Sequence, residues 1–160
     1  MSILESVPVQ IGEVKIGRAG QQLNAILGSC IGIGFLHRDR EIYGLAHVLL
    51  APQVGAERKS DGRYVDHAVE SLLRMMDIRD DERRRLRVIL AGGANMTRPG
   101  ATNTKGLVGN TNAEAARQFV RSEKLRILHQ DTGGENGRRV VIDCTTGEWQ
   151  INVIPRLKSA

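Results

Sequence analysis

The sequence predicts an α/β or α+β fold: a single layered domain over residues 1–160, with a mixed, largely antiparallel β-sheet arrangement flanked by helices. Three observations carry this expectation. Short apolar stretches with strand-like alternation fill the first third of the chain, amphipathic helical spacing appears twice in the middle, and strands separated by glycine-rich turns return at the end. The length suits one domain, and a fold of this size buries roughly 68–70% of its unfolded surface, enough for a core without staples. The chain contains no internal repeat, low-complexity tract or dividing linker.

In order, "EVKIGR" alternates as a short strand, and "LNAIL", "IGIGFLH" and "IYGLAHVLL" follow as further strands. The charged turn "HRDRE" makes "FLHRDREIYG" a hairpin. In its second strand Ile42, Gly44, Ala46 and Val48 share one face and Tyr43, Leu45, His47 and Leu49 the other, so both faces should be covered. "APQVGAERKSDG" reads as a polar loop. In "RYVDHAVESLLRMMDI" the residues Val65, Ala68, Val69, Leu72, Leu73 and Met76 recur at helical spacing, which makes Met75 and Met76 core filler. "LRVILAGGANM" is a buried strand entering a glycine turn, and "TRPGATNTKGLVGN" a loop. "TNAE" at 111–114 has capping-box spacing, so a second helix is expected from Thr111 to about Lys124. "LRILHQ", the turn "DTGGENG", "RRVVIDC", the turn "TTGE" and "WQINVI" complete the chain.

Composition narrows the function. With 23 Lys+Arg against 18 Asp+Glu the net charge is +5, which favours acidic partners. The densest basic cluster, Arg79, Arg83, Arg84, Arg85 and Arg87, is interleaved with Asp80, Asp81 and Glu82 and reads as a solvated helix end or turn. Aromatics make up only 3% of the chain and none lies in that cluster, which argues against nucleic acid as a partner. No apolar run reaches a membrane span, and "MSILESVPVQ" lacks the features of a secretory signal, so no membrane insertion and a cytoplasmic location are expected. Cys30 and Cys144 are too few for a disulfide framework and lack zinc spacing; nothing calls for a metal or an organic cofactor.

A nucleophilic cysteine works as the thiolate and needs a base beside it. His37 falls in the presumed hairpin turn as a solvated residue, His67 in a helix facing out, and His129 at a strand end. His47, mid-strand among apolar neighbours and on the strand expected to pair with the one that starts at Cys30, is the best candidate. A hydrogen-bonded core histidine is an equally good reading of it. Gly28 before Ser29-Cys30 permits a tight turn that exposes the thiol and aims main-chain amides at an oxyanion; the glycines at 32 and 34 could equally relieve packing. "GATNTKG" fails as a phosphate loop because its lysine precedes the glycine. "GGAN" at 92–95 reads as a turn, and Cys144 as an ordinary small residue.

The stretches "LGSCIGIGF", "GLAHVLLA", "AGGANM", "GLVGNTNAEAARQFV" and "ILHQDTGGENGRRVVIDCTTGE" occur in the order found in the CheD family of chemoreceptor glutamine deamidases, which the chain resembles from about Gly12 to its last strand. The resemblance implies a fold similar to that of deamidating bacterial toxins. It also implies a cysteine hydrolase that converts selected receptor glutamines to glutamates, with methyl-ester hydrolysis as a possible second activity. The family's nucleophile maps onto Cys30 and its general base onto His47. The third catalytic position, usually threonine, is Asn24 here; its amide oxygen can still accept from an imidazole N–H. Main-chain amides at Ser29 and Cys30 are the oxyanion candidates. The implied partners are the cytoplasmic domain of a methyl-accepting chemoreceptor and, for some members, the phosphatase CheC; the departure at Asn24 favours the alternative role, a non-catalytic or weakly catalytic adaptor binding CheC or the receptor.

Overall fold

The computed structural model describes residues 3–53, 55, 61–96 and 108–155. In chain order they form β1 (Glu5–Pro8), β2 (Val14–Gly17), β3 (Gln21–Leu27), β4 (Ile31–His37), β5 (Ile42–Val48), α1 (Val65–Met75), a 3-10 helix (Asp80–Arg85), β6 (Arg87–Gly92), α2 (Val108–Ser122), β7 (Arg126–Thr132), β8 (Gly137–Asp143) and β9 (Trp149–Ile154). The strands make two sheets, β1-β3-β8-β9 and β2-β5-β4-β6-β7. Among the described strands, only β1/β3 and β6/β7 pair in parallel. The fold is thus α+β with mixed, largely antiparallel sheets.

Alternation along the strands builds the layers. In β4, Ile31, Ile33 and Phe35 point to one side and join Val69 and Leu72 of α1 and Val120 of α2 in one core. The even-numbered residues face the other sheet, where Leu36 and Leu45 meet Leu23, Leu27 and Ile142. Each fully buried aliphatic side chain of this kind contributes roughly 1.5–3 kcal/mol. A Cβ on Gly32 would lie 2.8 Å from Leu27 and one on Gly34 2.7 Å from Ile89, so the glycines of "IGIG" admit close packing of the sheets. The far face of the four-stranded sheet is open, which is why β3 alternates between buried Leu23, Ala25 and Leu27 and more exposed Asn24 and Ile26.

The "HRDRE" turn sets the β4–β5 register at Ile31↔Val48 through His37↔Ile42, and every residue of both strands is buried. Several expectations need correction. β1, four residues ending in proline, is an edge strand whose pairing with β3 rather than its own pattern makes it extended. His37 is not solvated: it is 1% exposed, with Nε2 3.0 Å from the Glu82 carboxylate, which the 3-10 helix brings over the hairpin and which Arg40 also engages. The arginine cluster is correspondingly mixed. Arg83 is tied to the Glu123 carboxylate and carbonyl, whereas Arg84 and Arg85 are exposed. Met76 is core but Met75 is exposed. The side chain of His67 is only 15% exposed and packs edge-on against Tyr64.

The second helix begins at Val108, so Thr111 lies inside it and Glu114 accepts from Gln118 one turn on rather than closing a capping box. The reason is Gly109. A Cβ there would lie 2.6 Å from the Gly93 carbonyl oxygen, so the glycine marks a helix start pressed against another backbone, not a loop. The "GATNTKG" stretch lies outside the described residues. Among those described, no helix is long and apolar enough to cross a membrane.

Candidate active site

β4 and β5 bring Cys30 and His47 to the same place. Gly32 is the direct cross-strand partner of His47, and Cys30 stands two residues before Gly32, on the same inter-sheet face. Both side chains therefore look into the layer between the two sheets, where Cys30 joins the core with Leu27, Leu36 and Leu45. Both are nearly buried, Cys30 at 6% and His47 at 5% exposure.

The segment 9–13 wraps the histidine. Gly12 N–H donates to the His47 carbonyl at 2.8 Å, and His47 N–H donates to the Glu13 carbonyl at 3.0 Å. The imidazole Nδ1 lies 2.9 Å from the Val9 carbonyl oxygen. A carbonyl only accepts, so Nδ1 carries the proton and Nε2 keeps its lone pair. Burial lowers the His47 pKa from its ordinary value, opposed by the Val9 hydrogen bond and by Glu13. Burial also raises the pKa of the Cys30 thiol. Both shifts favour the uncharged forms, a thiol and an imidazole protonated on Nδ1.

Asn24 does not occupy the orienting position expected of it. Its Nδ2 donates to Ser6 Oγ at 2.9 Å and to the Gln22 carbonyl at 3.4 Å. Alternation in β3 directs the side chain to the outer sheet face, and the ring nitrogen it was expected to serve is held by Val9. The main chain of Asn24 does contribute, since its carbonyl accepts from Val9 N–H at 2.8 Å and so places the Val9 peptide. A cavity of about 110 Å³ beside the imidazole is lined by Pro8, Val9, Gln10, Asn24, Ala25, Ile26 and His47.

The turn Gly28–Cys30 is held through its carbonyls. Gly28 C=O accepts from Ala94 N–H at 3.0 Å and Cys30 C=O from Gly93 N–H at 2.9 Å. Ser29 C=O accepts from Asn112 Nδ2 at 3.4 Å. Among the described residues the amides of Ser29 and Cys30 have no backbone acceptor. The "GGAN" segment is thus more than a turn: Gly92, at φ 103°, places its Cα hydrogens where a Cβ would collide with the Cys30 carbonyl oxygen. The glycine turn after β7 braces it, with Gly133 N–H donating to Gly92 C=O and Gly134 C=O accepting from Asn95 N–H. Arg138 pins that turn by hydrogen bonds to Asp131 and to the carbonyls of Gly133 and Asn136.

Sequence reasoning missed Val9, because a main-chain acceptor leaves no residue signature. It also missed Asn112, for which Gly109 one helical turn earlier was the available signal. His129 is exposed and stacks obliquely on Trp149. A larger depression of about 680 Å³, lined by Asp80, Arg83, Arg84, Ser122, Glu123 and Lys124 among others, lies at the far end of α2, ten or more residues or roughly 15 Å from Asn112. No group of three or more His, Cys, Asp or Glu among the described residues could hold a metal ion.

Comparison with known proteins yields one consistent pattern. The family model described as CheD chemotactic sensory transduction matches residues 49–153, an interval that begins just beyond His47. A protein of Ruegeria sp. strain TM1040 named probable chemoreceptor glutamine deamidase CheD 2 is 55% identical, with 93% of this chain and 92% of that protein covered. Proteins named probable chemoreceptor glutamine deamidase CheD from Archaeoglobus fulgidus and Methanococcus vannielii are 37% and 35% identical, each covering 89% of this chain and at least 90% of the relative.

Proposed function

The chain belongs to the CheD family, and on that premise we propose that it deamidates selected glutamine side chains of chemoreceptors to glutamate, with Cys30 as nucleophile and His47 as general base. One observation carries the reading beyond the family name. The Val9 carbonyl fixes the His47 proton on Nδ1 and leaves the Nε2 lone pair on the face shared with Cys30.

His47 Nε2 takes the Cys30 proton as sulfur attacks the carboxamide carbon, which splits one difficult step into two easier ones. The tetrahedral oxyanion accepts from the Ser29 and Cys30 amides; in comparable sites one such donor supplies about 2.7–4 kcal/mol. Collapse of the intermediate breaks the C–N bond, and the imidazolium gives its proton to the departing nitrogen, which leaves as ammonia. Water, deprotonated by the regenerated His47, hydrolyses the thioester, releasing the glutamate product and the thiol. Burial suits both halves of the cycle, because a low imidazole pKa keeps the base neutral and makes its imidazolium a ready acid.

The net charge of +5 suits an acidic receptor surface. A second partner, CheC, is part of the same proposal and is checked by co-purification of the two proteins. Mass spectrometry of a purified chemoreceptor cytoplasmic fragment, incubated with this protein or its Cys30→Ala form, tests the reading. Specific glutamine-to-glutamate conversion by the wild type alone is expected. A fragment that binds but stays unconverted overturns the deamidase in favour of the adaptor.

A further inference from the structure

We infer that Asn112 is a positioning residue that aims the Cys30 main-chain amide at the oxyanion; the inference rests on the deamidase reading above. Asn112 is 1% exposed on α2, and its Nδ2 group donates to two carbonyls, Leu49 at 2.7 Å and Ser29 at 3.4 Å. Leu49 is the fixed end. It follows the β4–β5 ladder directly, and its N–H is bonded to the Arg63 carbonyl at 3.1 Å. Ser29 is the end that needs holding, because it lies in a bend outside both strands. Gly109, three residues earlier and so on the same side of α2, lets the helix start press on the Gly93–Ala94 backbone and fixes the depth at which Asn112 reaches in.

The consequence follows from peptide geometry. In a planar trans peptide the C=O of one residue and the N–H of the next point in opposite directions. Holding the Ser29 carbonyl against Asn112 therefore turns the Cys30 N–H away from α2, on the side opposite the Ser29 carbonyl. Gly28 C=O, held by Ala94 N–H, aims the Ser29 N–H in the same manner. Among the described residues no other side chain holds the Ser29–Cys30 peptide, so without Asn112 it can flip, replacing a donor by an acceptor at the oxyanion. The long 3.4 Å contact fits this role. When Cys30 N–H donates to a developing negative charge, polarisation of that peptide makes the Ser29 carbonyl a better acceptor, so the Asn112 bond strengthens in the transition state.

The test separates aiming from mere support. Alkylation of Cys30 by iodoacetamide passes through no tetrahedral oxyanion, whereas deamidation does. In Asn112→Leu, which keeps the volume and removes the donor, kcat for the receptor fragment should fall roughly 100-fold. KM and the Cys30 alkylation rate should stay within about threefold, and the Cys30 amide resonance in a ¹⁵N–¹H spectrum should move. Asn112→Ser is made alongside in case the leucine variant does not fold. Unchanged kcat in a folded variant overturns the inference, and so does a parallel loss of kcat and alkylation. If the wild type converts no glutamine, the deamidase reading has failed on its own; a Cys30 amide resonance unmoved by either substitution then overturns the positioning role as well.

Discussion

Cys30 and Cys144 are both free, both buried, and both part of the core between the two sheets, yet only one has the surroundings of a nucleophile. Cys144 directly follows β8, with its Sγ so close to Gly17 that a Cβ there would come within 2.6 Å. Its thiol makes a weak contact to the Ile142 carbonyl at 3.8 Å, and burial, opposed only by a backbone hydrogen bond, pushes its pKa up to about 11. Cys30 shares the burial but sits in a bend, on the face that carries His47 with its Nδ1 held by the Val9 carbonyl. Burial raises the pKa of both thiols, so what sets Cys30 apart, on the proposed reading, is its neighbours. The largest expected effect exploits it. Cys30→Ala should take deamidation to the assay floor, a loss of about four orders of magnitude or more, while Cys144→Ala should keep kcat within twofold and cost on the order of 1 kcal/mol in urea unfolding. Equal losses of activity would erase the distinction.

Next in size is the histidine. His47→Gln keeps hydrogen-bonding capacity toward Val9 but offers no base, so kcat/KM should fall by roughly 10²–10⁴. Cys30 should then alkylate at neutral pH no faster than Cys144. A glutamine variant whose Cys30 is still selectively alkylated would mean that something other than His47 activates the thiol.

The parts of this comparison differ in how far the sequence discloses them. The hairpin was legible because two continuous apolar runs flank a charged turn, and its register then places His47 opposite Gly32 on the Cys30 face. α1 was legible through Val65, Ala68, Val69, Leu72 and Met76. What stayed hidden belongs to tertiary contacts without a residue code. The Val9 carbonyl is available in any residue type, and His37 looks like a turn residue until Glu82 folds over it. Asn24 shows the opposite hazard: a side chain at the right spacing in the chain, directed by strand alternation to the wrong face of the sheet.

That hazard makes a smaller, sharper prediction. Since the imidazole is held by Val9 and the Asn24 side chain by Ser6, Asn24→Ala should leave kcat within about threefold. Asn24→Thr should do no better. A loss of tenfold or more in the alanine variant, with KM unchanged, would show that the amide reaches His47 during turnover.

The smallest expected effect is on stability, and its sign follows from the buried base. Burial holds the His47 pKa below its ordinary 6.5 in the folded protein, whereas the unfolded chain titrates near that ordinary value. Between the two, the unfolded state binds a proton that the folded state refuses, so stability falls as pH drops through this window and the His47 contribution levels off below the folded pKa. The carboxylates that titrate lower are common to wild type and His47→Gln and cancel in their difference. The wild type should therefore lose more melting temperature between pH 7.5 and 5.5 than the glutamine variant, by about one to three degrees for a chain of this length. Equal losses would mean that folding leaves the His47 pKa unshifted, and a smaller loss in the wild type would mean that it is raised, as an ion pair with Cys30 would do.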